Sequence, residues 1–148
     1  MSLLTKWGPH VVRVVLGLMF LLFGINYFVP FLPPQPPPPP EALPFLQGIM
    51  ASGFIMPIVK GIEVAAGAAL LSNRFVPLAL TLLAPIVVVI AGFHFVLAPA
   101  YPMPIAIIAM GLYLAWTHRA AFTPMLRART GPAATSEERA PGHAVPAR

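Results

Sequence analysis

The sequence predicts an all-α membrane protein: a bundle of four transmembrane helices with both termini cytoplasmic. Three observations carry that prediction. Charge is scarce. Of 148 residues, 9% are charged and 58% hydrophobic, with mean hydropathy +0.83, whereas a soluble domain carries about 25% charge. Apolar residues gather in four runs close to the length needed to cross a bilayer, about 20 residues. Basic residues alternate between linkers. Lys6 and Arg13 flank the first run, Arg74 separates the second from the third, and Arg119, Arg127 and Arg129 follow the fourth. The linkers after the first and third runs hold no Lys or Arg. The positive-inside rule then sets both termini and the Arg74 turn in the cytoplasm.

Helix one is expected over about 10–29. Pro9 suits a first helical position and Trp7 an interface. The start is weakly positive, but no small-x-small cleavage site follows it, so the reading is an uncleaved helix, not a signal peptide. Residues 30–45, PFLPPQPPPPPEALPF, hold nine prolines. Proline has no N–H to donate and prefers extended polyproline II. The run therefore reads as a stiff external loop. A ligand for SH3-like domains is the sharper alternative, disfavoured because such readers are not expected on that face.

Helix two is expected over about 53–72, with Pro57 in its first turn. Only Ser72, Asn73 and Arg74 then precede helix three, expected over about 75–97. So short a link forces an antiparallel hairpin. Pro85 falls mid-helix, frees the Thr81 carbonyl and should kink the helix there. Helix four is expected over about 102–119, closing a transmembrane domain of residues 1–122. Residues 123–148 read as a basic, Pro/Ala-rich cytoplasmic tail. Phe122, Met125 and Leu126 with flanking arginines suit the inner interface and anionic lipid.

Composition also excludes. Without cysteine there is no disulfide, thiol redox chemistry, cysteine-ligated iron–sulfur cluster or zinc–cysteine site. The net charge of +5 invites a nucleic-acid reading. Yet the arginines collect at one end, where topology accounts for them, and nucleic acid is not expected as a partner.

Ionisable side chains inside membrane helices cost roughly 2.5–3.5 kcal/mol each on insertion scales, so each invites a reason. Arg13 lies near a helix end and is expected to snorkel. Lys60 and Glu63, three apart, share a helix face. By depth, Asn26, Lys60, Glu63 and His94 can converge in one polar cluster beneath the proline loop. Its plain reading is a network that fixes helix packing. Its functional reading is a quinone or small-ligand site, with Glu63 carrying protons and His94 bonding a carbonyl. His10 and His118 fall at matching depth and could ligate a b-type haem. Interfacial histidine beside basic residues is ordinary, however, and haem is not favoured. No covalently bound cofactor and no metal site is expected. Trp7, Arg119, Arg127 and Arg129 are the expected lipid-interface residues.

Gly17 and Gly24 on helix one, and Gly61, Gly67 and Ala65 to Ala69 on helix two, suit close helix packing. The similarity of FGINYFV to AGFHFVL hints at a weak repeat of two hairpins. No serine-triad, P-loop, Rossmann or metalloprotease pattern is present.

Taken together, GLMFLLFGINYFVPFLPPQPPPPP, KGIEVAAGAALLSNRFVPLAL and LAPIVVVIAGFHFVLAP resemble the DoxX-like family of small bacterial integral membrane proteins. The resemblance covers about 15–122. It implies a four-helix bundle with cytoplasmic termini in the bacterial inner membrane. Some relatives are subunits of quinone-linked sulfur oxidoreductases, others assemble with oxidative-stress proteins, and Asn26, Glu63 and His94 match the family pattern. The lack of cysteine argues against a thiol-based version of that chemistry. The expected role is an accessory subunit without catalysis of its own, packed among other subunits of a respiratory or photosynthetic redox complex. The alternative is a quinone-linked oxidoreductase subunit with a ligand site around Glu63 and His94. Solute transport ranks below both, because the polar residues sit at one depth.

Overall fold

Backbone polar groups that face hydrocarbon must be satisfied within their own segment, so long apolar runs fold as helices. The computed structural model describes residues 3–128, with side chains from Trp7 onward. Every regular element among the described residues is helical: α1 Leu3–Phe28, α2 Leu43–Ala51, α3 Ile55–Leu71, α4 Val76–Gly92, α5 Pro102–Thr117 and α6 Arg119–Phe122. Two stretches, Trp7–Phe28 and Val76–Leu97, are each long and apolar enough to cross a membrane. The number rises to four if each of two bent pairs, α2 with α3 and α5 with α6, counts as one span.

The four long helices pack in a ring. α1 lies against α3 and α5, and α4 lies against the same two. Leu16 and Phe20 from α1, Leu70 from α3, Leu83 from α4, and Ile107 and Leu114 from α5 meet at the centre. The bundle thus has a basic end, with the start of α1, the α3–α4 turn and the end of α5, and a proline end opposite.

The elements differ from the sequence reading in four places. α1 begins at Leu3 and runs through Pro9, which therefore lies inside the helix. Residues 40–45 are not loop: Pro40–Ala42 form a 3₁₀ turn that leads into α2. Pro40 and Pro44 stand at first-turn positions, where a fixed φ near −65° starts a helix. α2 meets α3 at 88°. The regular part of α4 ends at Gly92 and continues as a π-helical turn, Phe93–Leu97.

The fourth difference is at the end of α5. It stops at Thr117, and Arg119 begins α6, which with the 3₁₀ turn Thr123–Leu126 runs at 79° to α5. The Thr117 hydroxyl donates to the Leu114 carbonyl at 2.8 Å, and His118 Nδ1 lies 2.9 Å from the same oxygen. Side chains competing for the ladder's acceptors favour a helix end. Residues 129–148 of the expected tail, Arg129 among them, lie outside the described residues.

The α3–α4 turn is a Schellman closure. The Asn73 amide donates to Leu70 and the Arg74 amide to Ala69, at 3.1 and 3.0 Å. Asn73 holds the left-handed conformation at φ 55°, which asparagine tolerates better than most residues.

Candidate functional site

The site is built from α3 upward. Lys60 and Glu63 stand one turn apart, so their side chains reach each other. Lys60 Nζ donates to both Glu63 oxygens, at 3.0 and 2.8 Å. Glu63 is 2% exposed, while the Lys60 side chain is 20% exposed. The pair is therefore asymmetric: the carboxylate is sealed in the bundle and the ammonium lies toward the outside.

His94 comes to the same place from α4. The π-helical turn that carries it closes with the Ala98 amide donating to the Phe93 carbonyl at 2.9 Å. Such a turn widens the helix by one residue and re-aims the side chains after it, and is common at functional sites. His94 Nδ1 lies 3.4 Å from the Ala98 carbonyl, a long contact to an oxygen that can only accept. On the far side Phe93 packs against Phe45 of α2, ring centres 5.9 Å apart. The helix across the top of α3 is thereby tied to the turn that holds the histidine.

Lys60, Glu63 and His94 line one cavity of about 210 Å³ with Met19, Phe23 and Met103 among its apolar walls. Residues of α1, α3, α4 and α5 all face it. Two carboxylate oxygens, an ammonium and an imidazole thus sit at one end of a small greasy chamber. That arrangement can hold the polar edge of a single ring. It can equally hold four helices in register.

Asn26 is not part of it. Its Oδ1 accepts from the amides of Phe31 and Leu32, at 2.9 and 2.8 Å. The Val29 amide still bonds the Ile25 carbonyl and Pro30 has no N–H, so these are the next amides past the end of α1, and Asn26 folds the chain back over the helix end. Spacing alone does not give the direction of its side chain around the helix.

Arg13 corrects the snorkelling expectation. It is 9% exposed and points inward, donating from Nη1 to the carbonyls of Leu70 and Leu71, the latter at 3.1 Å. These belong to the last turn of α3, where carbonyls lack i+4 helical partners, Leu70 accepting only the Asn73 amide of the turn, and where the helix dipole favours a cation. Sequence reasoning missed this role because the partner is a backbone group 57 residues away.

The glycines sort themselves as well. A Cβ on Gly67 would lie 2.7 Å from the Leu21 nitrogen, and one on Gly24 would lie 2.8 Å from Val64 Cγ2. These residues let α1 and α3 touch backbone to backbone. Gly61, grouped with them from the sequence, faces open space.

At the basic end, Trp7, Trp116, Arg119 and Arg127 are exposed. Arg119 lies over the Trp116 ring, 5.3 Å from its centre. His10 is exposed, and His118 is engaged at the end of α5, as described above. Comparison with protein-family models, with curated proteins and with solved structures found no match.

Proposed function

We propose that the protein is a DoxX-like subunit of the bacterial inner membrane. In this reading it crosses the membrane four times with both termini in the cytoplasm. It packs within and stabilises a larger respiratory or photosynthetic redox complex, without catalysis of its own. One observation carries the non-catalytic part. The buried polar groups are engaged by the chain itself: Arg13 by α3 carbonyls and Glu63 by Lys60. Among the described residues no buried side-chain nitrogen or oxygen lacks a partner. A polar inventory so committed suits scaffold work, because catalytic groups need capacity for the substrate. The redox assignment comes from the family resemblance.

The test is purification from native membranes in a gentle detergent, with mass spectrometry of what co-migrates. A stoichiometric set of larger redox subunits is the expected result. A solitary chain that turns over a substrate by itself would end the proposal.

The chamber lined by Lys60, Glu63 and His94 favours a second reading, a quinone-linked oxidoreductase subunit that holds the quinone ring there. Its phenyl-sized volume and its mixture of apolar wall with a few convergent polar groups resemble small-molecule sites in character, though it is smaller than most. Quinone extracted from the purified protein should then be stoichiometric, and should fall in His94→Ala and Glu63→Gln. Unchanged quinone content in both variants, with the fold intact, would discard this reading.

A further inference from the structure

Between α4 and α5 runs an outward-opening groove of about 540 Å³. It exists because small residues face it: Ala84 and Ala91 from α4, Gly111 and Ala115 from α5. A Cβ on Gly111 would meet nothing within 4 Å. Thr81 supplies a hydroxyl to the wall, and that hydroxyl is turned back onto its own helix, donating to the Pro77 carbonyl at 2.9 Å. On α4 the groove extends from Leu80 to Ala91, roughly 16 Å at 1.5 Å per residue. Half the hydrocarbon core is about 15 Å. The groove is one leaflet deep.

At the basic end it does not stop. Leu112, Ala115 and Phe122 are shared with a second hollow, about 630 Å³, over the bend between α5 and α6. Trp116 and Arg119 line that hollow. The bend makes an L, with a vertical apolar slot above a basic shelf. Arg119 is steadied on the shelf by its Nη1, which donates to the Trp116 carbonyl at 3.2 Å. A guanidinium has five N–H donors, so most remain available for an anion. The acidic side chains among the described residues are Glu41 and Glu63. Both belong to the proline half of the bundle, and no described carboxylate competes for the shelf.

We infer that this L is a binding site for one anionic phospholipid, with an acyl chain in the α4–α5 groove and the headgroup phosphate on Arg119. A slot of leaflet depth matches the chain, and a cation at its mouth matches the phosphate. A bare apolar face would offer only the first. The inference rests on the membrane reading but on neither proposed role, and its test does not touch the Lys60–Glu63 chamber.

The full chain, purified in mild detergent, would be stripped of lipid and offered dioleoylphosphatidylglycerol or dioleoylphosphatidylcholine. Binding would be counted by native mass spectrometry. One phosphatidylglycerol per chain should be retained in preference to phosphatidylcholine. Gly111→Leu fills the slot from open space and should lower retention of both lipids by about tenfold. Arg119→Gln should reduce the preference by about fivefold while the chain is still taken up. Gly61→Leu, on open surface of α3, should change neither. Equal retention of the two lipids, or variants that bind like the parent, would overturn the site. So would a parent that is a dimer in detergent and that Gly111→Leu makes monomeric, since a second copy would then fill the groove.

Discussion

Arg13 shows how the meaning of a charge depends on its target. An arginine near a helix end reads as a snorkelling side chain, and replacing one of those changes stability by less than about 0.5 kcal/mol. Here the guanidinium is buried and closes the last turn of α3. Arg13→Met keeps the length and apolar stem but removes the donor to the Leu71 carbonyl and leaves Leu70 with only the Asn73 amide, at about 1–3 kcal/mol. A fall in the thermal midpoint in detergent, partly restored in Arg13→Lys, is the expected outcome; an unchanged midpoint would return the residue to the snorkelling class. The Lys60–Glu63 pair makes a second prediction at this scale. Removing one partner of a buried pair typically costs about 3–5 kcal/mol, because the other charge is stranded. The burial of the two side chains is unequal, so the costs should be unequal. Lys60→Leu strands the sealed carboxylate and should be the worse single change. Glu63→Leu leaves an ammonium that can reach outward. The double variant should recover most of the loss, and thermal melts of all three against the parent would check the order. Spacing put these two residues on one face, but only the fold shows that they bond each other while Asn26 bonds the loop.

At the scale of elements, the apolar runs made the long helices readable, and the α3–α4 turn followed from its length. What spacing did not reveal were the features set by contact or by competition for hydrogen bonds. α2 is a helix of nine residues interrupted by Gln47, too short to announce itself beside a proline stretch that reads as loop. The π-helical turn at His94 has no composition of its own. The break at His118 depends on which carbonyl the Thr117 and His118 side chains reach. The glycines make the same point quantitatively. From sequence, Gly61 and Gly67 are equivalent small residues on one helix. In the structure one faces open space and the other abuts the α1 backbone. Gly67→Ala must push α1 from α3, and overpacking of this kind costs about 1–3 kcal/mol. Gly61→Ala should be neutral or slightly stabilising, since alanine is the better helix former by about 1 kcal/mol. A similar loss of stability in both would mean that α1 and α3 do not approach through Gly67.

For the whole molecule, the open matter is how the bundle is set in the membrane, and the charge distribution makes a definite prediction. Exposed Arg74, Arg119 and Arg127 all lie at the basic end, while the proline end carries Glu41 and no described arginine. Each arginine taken through the bilayer costs several kcal/mol, so the basic end should stay on the side where the chain is made. The bends fit the same picture. α2 and α6 turn nearly at right angles to the helices beside them, one at each end of the bundle, as helices do when they lie along an interface. The absence of cysteine makes this directly testable, because any cysteine introduced is the only thiol in the chain. Gln35→Cys lies in the proline run and Ser72→Cys in the α3–α4 turn, and both positions are exposed. In intact spheroplasts a membrane-impermeant maleimide should label Gln35→Cys and leave Ser72→Cys unreacted until the membrane is opened. The reverse pattern would invert the topology, and would carry the Arg119 shelf to the outer leaflet. Labelling of both in sealed cells would argue against four spans, because the α2–α3 pair would then enter and leave on one side. The bundle's ring of contacts would survive either result, since helix packing does not depend on which end faces the cytoplasm.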